Sequence, residues 1–92
     1  MNIFTKNYEA VVNRGLINSQ TTKKDFLNKL IEELDEFGEE FDNDNQLLND
    51  REAEELTDII NTCNNWLIFS GRNPISELEK ICIKNEKRCK KQ

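Results

Sequence analysis

Residues 22–41 read TKKDFLNKLIEELDEFGEEF. Phe26, Leu30, Leu34, Phe37 and Phe41 recur at helical spacing and fall within one apolar stripe. Thr22, with Asp25 three positions on, has the form of a capping box and marks a helix start. The stretch therefore reads as a helix running to about Phe41. Gly38 inside it costs about 1 kcal/mol relative to alanine, a modest penalty in a long helix. A helix with one apolar stripe must bury that stripe against other elements, so the reading extends outward to find them.

Upstream, a helix is expected from Ile3 to about Arg14, stopped at Gly15, which suits the left-handed cap. Downstream, Asp42-Asn43-Asp44-Asn45-Gln46 is a polar breaker. A third helix opens near Asp50 and runs to about Ser70, with Gly71 as its stop. Its stripe is Leu56, Ile59, Ile60, Cys63 and Leu67. Asn73-Pro74, a cap followed by proline at the first helical position, opens a fourth helix to about Lys90. Ile75, Leu78, Ile81 and Cys82 continue the pattern there. No strand alternation, internal repeat or low-complexity tract competes. The expected fold is all-α: one four-helix, bundle-like domain over residues 1–92, oligomerising through its helices.

Composition narrows the function classes. The chain has 92 residues, 36% hydrophobic and 34% charged, enough for one domain with a thin core. The strong periodicity of the apolar residues argues against disorder. A net charge of −5 argues against general nucleic-acid binding. No apolar run approaches the length of a membrane span. The first residues, Met1 to Lys6, lack the apolar centre of a signal peptide, so a cytoplasmic protein is expected. Cys63, Cys82 and Cys89 form no Cys-x-x-Cys pair and read as buried or incidental thiols in a reducing compartment. There is no histidine, which removes His-based zinc sites and Ser-His or Cys-His catalysis. Any chemistry falls to carboxylates and lysines.

Carboxylates are arranged for it. Glu33 with Glu36, and Glu55 with Asp58, are acids three residues apart, a spacing that puts both side chains on one helix face. Advancing roughly 100° per residue, Glu33, Glu36, Glu40 and Lys29 flank the second helix's apolar stripe. Glu55, Asp58 and Thr62 flank the third helix's stripe. Glu32, Asp35 and Glu39 turn further towards solvent. Two acid pairs brought together would repel unless a cation sat between them. Oxygen-only ligands suit a hard ion such as Mg²⁺, which keeps waters and phosphates in its shell. Single acid pairs of this kind are common on solvated helix faces; it is their conjunction on adjacent helices that suggests a site. The basic run Lys84-Asn85-Glu86-Lys87-Arg88 complements a helix C-terminus and, beside a metal, would suit phosphate. Asp42-x-Asp44-x-Gln46 is not a calcium loop: Leu47 replaces the turn glycine and Ala53 the bidentate Glu. No phosphate-binding glycine loop occurs.

Glu32-Glu33-x-x-Glu36 followed by Glu55-x-x-Asp58 resembles the signature of the MazG-like, all-α nucleoside triphosphate pyrophosphohydrolases. Lys29-Leu30-Ile31-Glu32-Glu33 resembles the family's Lys-Leu-x-Glu-Glu block. Glu54-Glu55-Leu56-Thr57-Asp58-Ile59-Ile60 resembles its Glu-Glu-Leu-x-Asp block. Arg14-Gly15-Leu16-Ile17 is similar to the Arg-Gly-Leu turn of short, phage-type members, and Lys84-Asn85-x-x-Arg88 to their C-terminal basic region. The resemblance runs from about Arg14 to Arg88. Where short members carry a tryptophan before Arg-Gly-Leu, this chain has Tyr8 and Phe4.

The resemblance implies Mg²⁺-dependent, or Mn²⁺-dependent, cleavage of a nucleoside triphosphate between the α and β phosphates, giving a monophosphate and pyrophosphate. It implies Glu33, Glu36, Glu55 and Asp58 as metal ligands, with Glu32 or Glu33 as the catalytic carboxylate. Lys29, Lys84, Lys87 and Arg88 would meet phosphate, and Asn61 and Asn65 sugar or base. Trp66 is a candidate for base stacking, for the core or for an interface. Because Trp66, Leu67, Ile68 and Phe69 are apolar on all sides of their helix, a homodimer or dimer of dimers is expected. Two other readings explain the helices: a non-enzymatic helical interaction or regulatory protein, and a nucleotide-binding sensor on the same fold.

Overall fold

A computed structural model describes residues 2–90, with side chains as far as Arg88; the thiol of Cys89 lies outside the described residues. Four helices follow in order: α1 (Ile3–Asn13), α2 (Lys23–Glu40), α3 (Asp50–Phe69) and α4 (Pro74–Lys90). Among the described residues there is no strand, and the all-α class expected from the sequence stands.

Local chemistry sets the helix ends. Asn2 Oδ1 accepts the Thr5 N–H at 2.9 Å and caps α1. Thr22 and Asp25 form the expected box: Thr22 Oγ1 accepts the Asp25 N–H and Asp25 Oδ2 accepts the Thr22 N–H. A second box, which the sequence reading did not identify, opens α3. Asn49 Oδ1 accepts the Glu52 N–H, and Glu52 Oε1 accepts the Asn49 N–H at 2.9 Å. Glu52 Oε2 also accepts the Asp42 N–H, so one carboxylate ties both ends of the α2–α3 connection. Glu52 is 2% exposed, and those two backbone donors hold its carboxyl below the usual range. Helices α1 and α3 end alike. Gly15 (φ 78°) and Gly71 (φ 77°) take the left-handed conformation. The Leu16 and Arg72 amides then reach back to the Val11 and Leu67 carbonyls.

Helix α3 is the central element. Helix α2 lies along it, α1 packs on it, and α4 meets it weakly. Phe26 of α2 anchors the core: it stacks on Trp66 at 6.0 Å and takes the edge of Phe69 at 5.0 Å. Ile17, in the α1–α2 connection, is buried on the same side. Part of the Trp66–Phe69 run is thus satisfied within the chain, and all four residues are half-buried. The apolar stripe of α4 is not satisfied: Leu78 and Ile81 are exposed. The radius of gyration is 15.7 Å, against roughly 12 Å for a compact chain of this length. The bundle is open, with α4 standing away from α2.

Candidate functional site

Helices α2 and α3 bring acids from both clusters together. One carboxylate oxygen each from Glu33, Glu55 and Asp58 lie within 4.8 Å of one another. Glu33 is buried, Glu55 half-buried and Asp58 exposed, so the group opens outward from the helix seam. Thr62, one turn beyond Asp58, donates its hydroxyl to Glu33 Oε1 at 2.9 Å in a buried contact. Lys29 Nζ approaches the same oxygen at 4.0 Å. Glu55 Oε2 is buried and has no hydrogen-bond partner. Burial raises the Glu55 carboxyl above its usual range, and the charges of Glu36, Asp58, Glu33 and Glu54 push it further.

These features fit a divalent cation. A buried Glu55 oxygen without a partner, three carboxylates gathered within 4.8 Å and an all-oxygen donor set match a hard ion. Glu33, Glu55 and Asp58 would hold it. Glu36 stands near enough to perturb Glu55 but outside the converging trio. Glu32 turns to solvent and pairs with Lys29 at 3.7 Å; it is not brought to the cluster.

A cavity of about 490 Å³ adjoins Glu33 and Lys29. Asn61, Thr62 and Asn65 of α3 line one wall. Phe26 and Asp25 of α2, with Val11, Arg14, Leu16 and Ile17 from around the end of α1, line the rest. Asn65 is buried, with its Oδ1 unpaired. Asn61 and Asn65, the candidates for sugar or base contact, line this cavity. Lys84, Lys87 and Arg88 line a separate groove on α4 with Lys80 and Ile83. Trp66 is committed to the Phe26 stack, and it does not line the cavity.

Two site features escaped the sequence reading. Thr62 was placed beside the acids but given no role, although the four-residue step from Asp58 puts it one turn along the same face. Arg14, Leu16 and Ile17 entered the sequence reading only through the resemblance of their turn, without a place in the site, because a loop carries no periodic signal. Comparison with protein-family models, with curated proteins and with solved structures gives no match.

Proposed function

We propose that this chain is a Mg²⁺-dependent nucleoside triphosphate pyrophosphohydrolase of the MazG-like kind, acting in the cytoplasm as an oligomer. The observation that carries the reading is the clustering of the Glu33, Glu55 and Asp58 carboxylates, with Glu55 Oε2 buried and unpaired and Glu33 in the wall of a cavity. Bound Mg²⁺, or Mn²⁺, would neutralise phosphate charge and lower the pKa of a water for attack. The protein's own side chains supply the rest. Thr62 fixes the rotamer of Glu33, and Lys29 adds positive charge beside it. Asn61 and Asn65 offer donors and acceptors to the sugar and base, against the apolar wall of Phe26 and Ile17. Glu36 adds negative charge to the cluster and is a ligand candidate after side-chain movement. Glu32 is exposed, which makes Glu33 the stronger candidate for the catalytic carboxylate. Lys84, Lys87 and Arg88 are left as phosphate contacts only if α4 moves.

Pyrophosphate release from a panel of triphosphates, with and without Mg²⁺, tests the reading. Asp58→Asn should abolish it while helical content is retained. Orthophosphate and a diphosphate as products, with no pyrophosphatase present, would contradict the reaction. One observation favours a second reading. The bare apolar stripe of α4 suits a helical interaction or regulatory protein, or a nucleotide sensor with little turnover. A Mg²⁺-induced thermal shift without turnover would select the sensor; no shift at all would select the interaction protein.

A further inference from the structure

The cavity beside the carboxylates has a polar far end. Glu33 accepts from Thr62 and Phe26 stacks on Trp66, so α2 and α3 run antiparallel and leave the acids together. Asp25 precedes Glu33 on α2 by about 12 Å of helix rise, and Asn65 follows Asp58 on α3 by about 10 Å. Both line the cavity, as does Arg14 at the end of α1. A nucleotide whose phosphates sit at the acids would carry its base to these three residues.

Their polar groups await partners. Asn65 is 6% exposed, and its Oδ1 is buried with no hydrogen-bond partner. A buried acceptor left in that state is costly unless a ligand donates to it. Asp25 gives Oδ2 to the Thr22 N–H, which leaves its other oxygen for a second donor. The ion pairs among the described residues use Lys29, Arg51, Arg72 and Lys80, and Arg14 enters none of them. The far end thus offers two acceptors and a guanidinium, with Phe26 and Ile17 as apolar walls for a flat ring.

Guanine answers all three. Its N1–H and 2-amino group are adjacent donors on one edge, and its O6 and N7 are adjacent acceptors on another, the pair that arginine binds bidentately. Uracil and thymine carry one ring N–H between two carbonyls. Adenine and cytosine, once joined to a sugar, carry an amino group and no ring N–H. We propose that the far end of the cavity selects a guanine base. Asn65 Oδ1 and the Asp25 carboxylate accept from N1–H and the 2-amino group, and Arg14 donates to O6 and N7. The proposal rests on the reading of the carboxylates as the phosphate end, and it makes the substrate a guanine nucleoside triphosphate.

Calorimetric titration of the full chain with GMP, AMP, CMP and UMP, in Mg²⁺ and again in chelator, tests it. All four carry the same phosphate, so the ratio of affinities reports the base. GMP should bind about tenfold or more tighter than the others, as hydrogen bonds to charged groups allow. Inosine monophosphate, which lacks the 2-amino group, should fall below GMP by about tenfold. Arg14→Gln should bring GMP to the level of the rest, and because Arg14 is exposed the fold should survive. Asn65→Leu should also remove the preference. Equal affinities for the four, binding of none, or a GMP preference that survives Arg14→Gln would overturn the proposal. Inosine monophosphate bound as tightly as GMP would overturn the role of Asp25. The reaction fails separately. A GMP preference with no pyrophosphate released from GTP would sink the reaction and leave the guanine site standing. Equal pyrophosphate release from all four triphosphates would keep the reaction and overturn the guanine site.

Discussion

Glu55 and Glu52 lie on the same helix, and their carboxyl pKa values are shifted in opposite directions because their surroundings differ. Glu52 accepts two backbone N–H groups, which favour its charged form. Glu55 is desolvated among other carboxylates, which disfavours its charged form. A raised folded-state pKa means that stability from Glu55 is full below the usual carboxylate range and is lost as pH rises through the folded value. Glu55→Gln should therefore raise the thermal midpoint of the metal-free protein at neutral pH. Midpoints in chelator from about pH 4 to about pH 8 should fall less steeply for the variant than for the wild type. Saturating Mg²⁺ should stabilise only the wild type, by about 2.7 kcal/mol at a hundredfold excess over Kd. Thr62 acts through Glu33 and is a positioning residue. Thr62→Val should weaken Mn²⁺ binding by about tenfold or more, as loss of a hydrogen bond to a ligand does, and Thr62→Ser should restore it. Calorimetric titration with Mn²⁺ reads both without any need for turnover.

Helices α2 and α3 act as one hairpin because Glu52 clamps their connection at Asp42 and Asn49. Glu52→Ala should free both amides, speed hydrogen exchange over residues 42–49 and lower the thermal midpoint. The contribution of Glu52 is present above its unfolded pKa and lost as pH falls through its lowered folded value. Acidification should therefore loosen this connection while it relieves the repulsion at Glu55. Helix α4 is held by less. Its start is capped by Asn73 Oδ1, which accepts the Ile75 N–H at 2.9 Å, and Arg72 and Lys80 pair with Glu77. Such exposed pairs contribute little, roughly 0–1 kcal/mol each. Hydrogen exchange should accordingly be faster in α4 than in α3.

The folded chain depends on a very small buried centre. Phe26 and Ile17 are buried there, with Pro74 the other buried apolar residue among those described, and Phe26 joins α2 to Trp66 and Phe69 of α3. Phe26→Ala should cost about 3–5 kcal/mol, a large share of the stability of any domain this small. A fall in the urea midpoint measures it; an unchanged midpoint would mean that the stack is not the anchor. With so much surface left bare, stability should also be coupled to assembly, so the thermal midpoint should rise with protein concentration.

The helices, their caps and the pairing of acids on single faces were legible in the sequence because each is a local property. Gly15 and Gly71 stop their helices through bonds that span six residues, and Glu55 and Asp58 share a face because three residues make nearly one turn. What crosses between helices was legible only in part. The apolar stripes indicated that α2 and α3 would pack, and so that their acid rows would meet. The rotation and axial shift of α2 on α3 follow from how Phe26 seats against Trp66 and Phe69, and neither helix encodes that alone. That seating puts Thr62 on Glu33, leaves Glu36 outside the converging trio and buries Asn65 beside the cavity. The basic end of α4 stands apart from the acids for the same kind of reason. A periodic stripe says that a helix has a face to bury, but the partner that buries it is set by packing between elements.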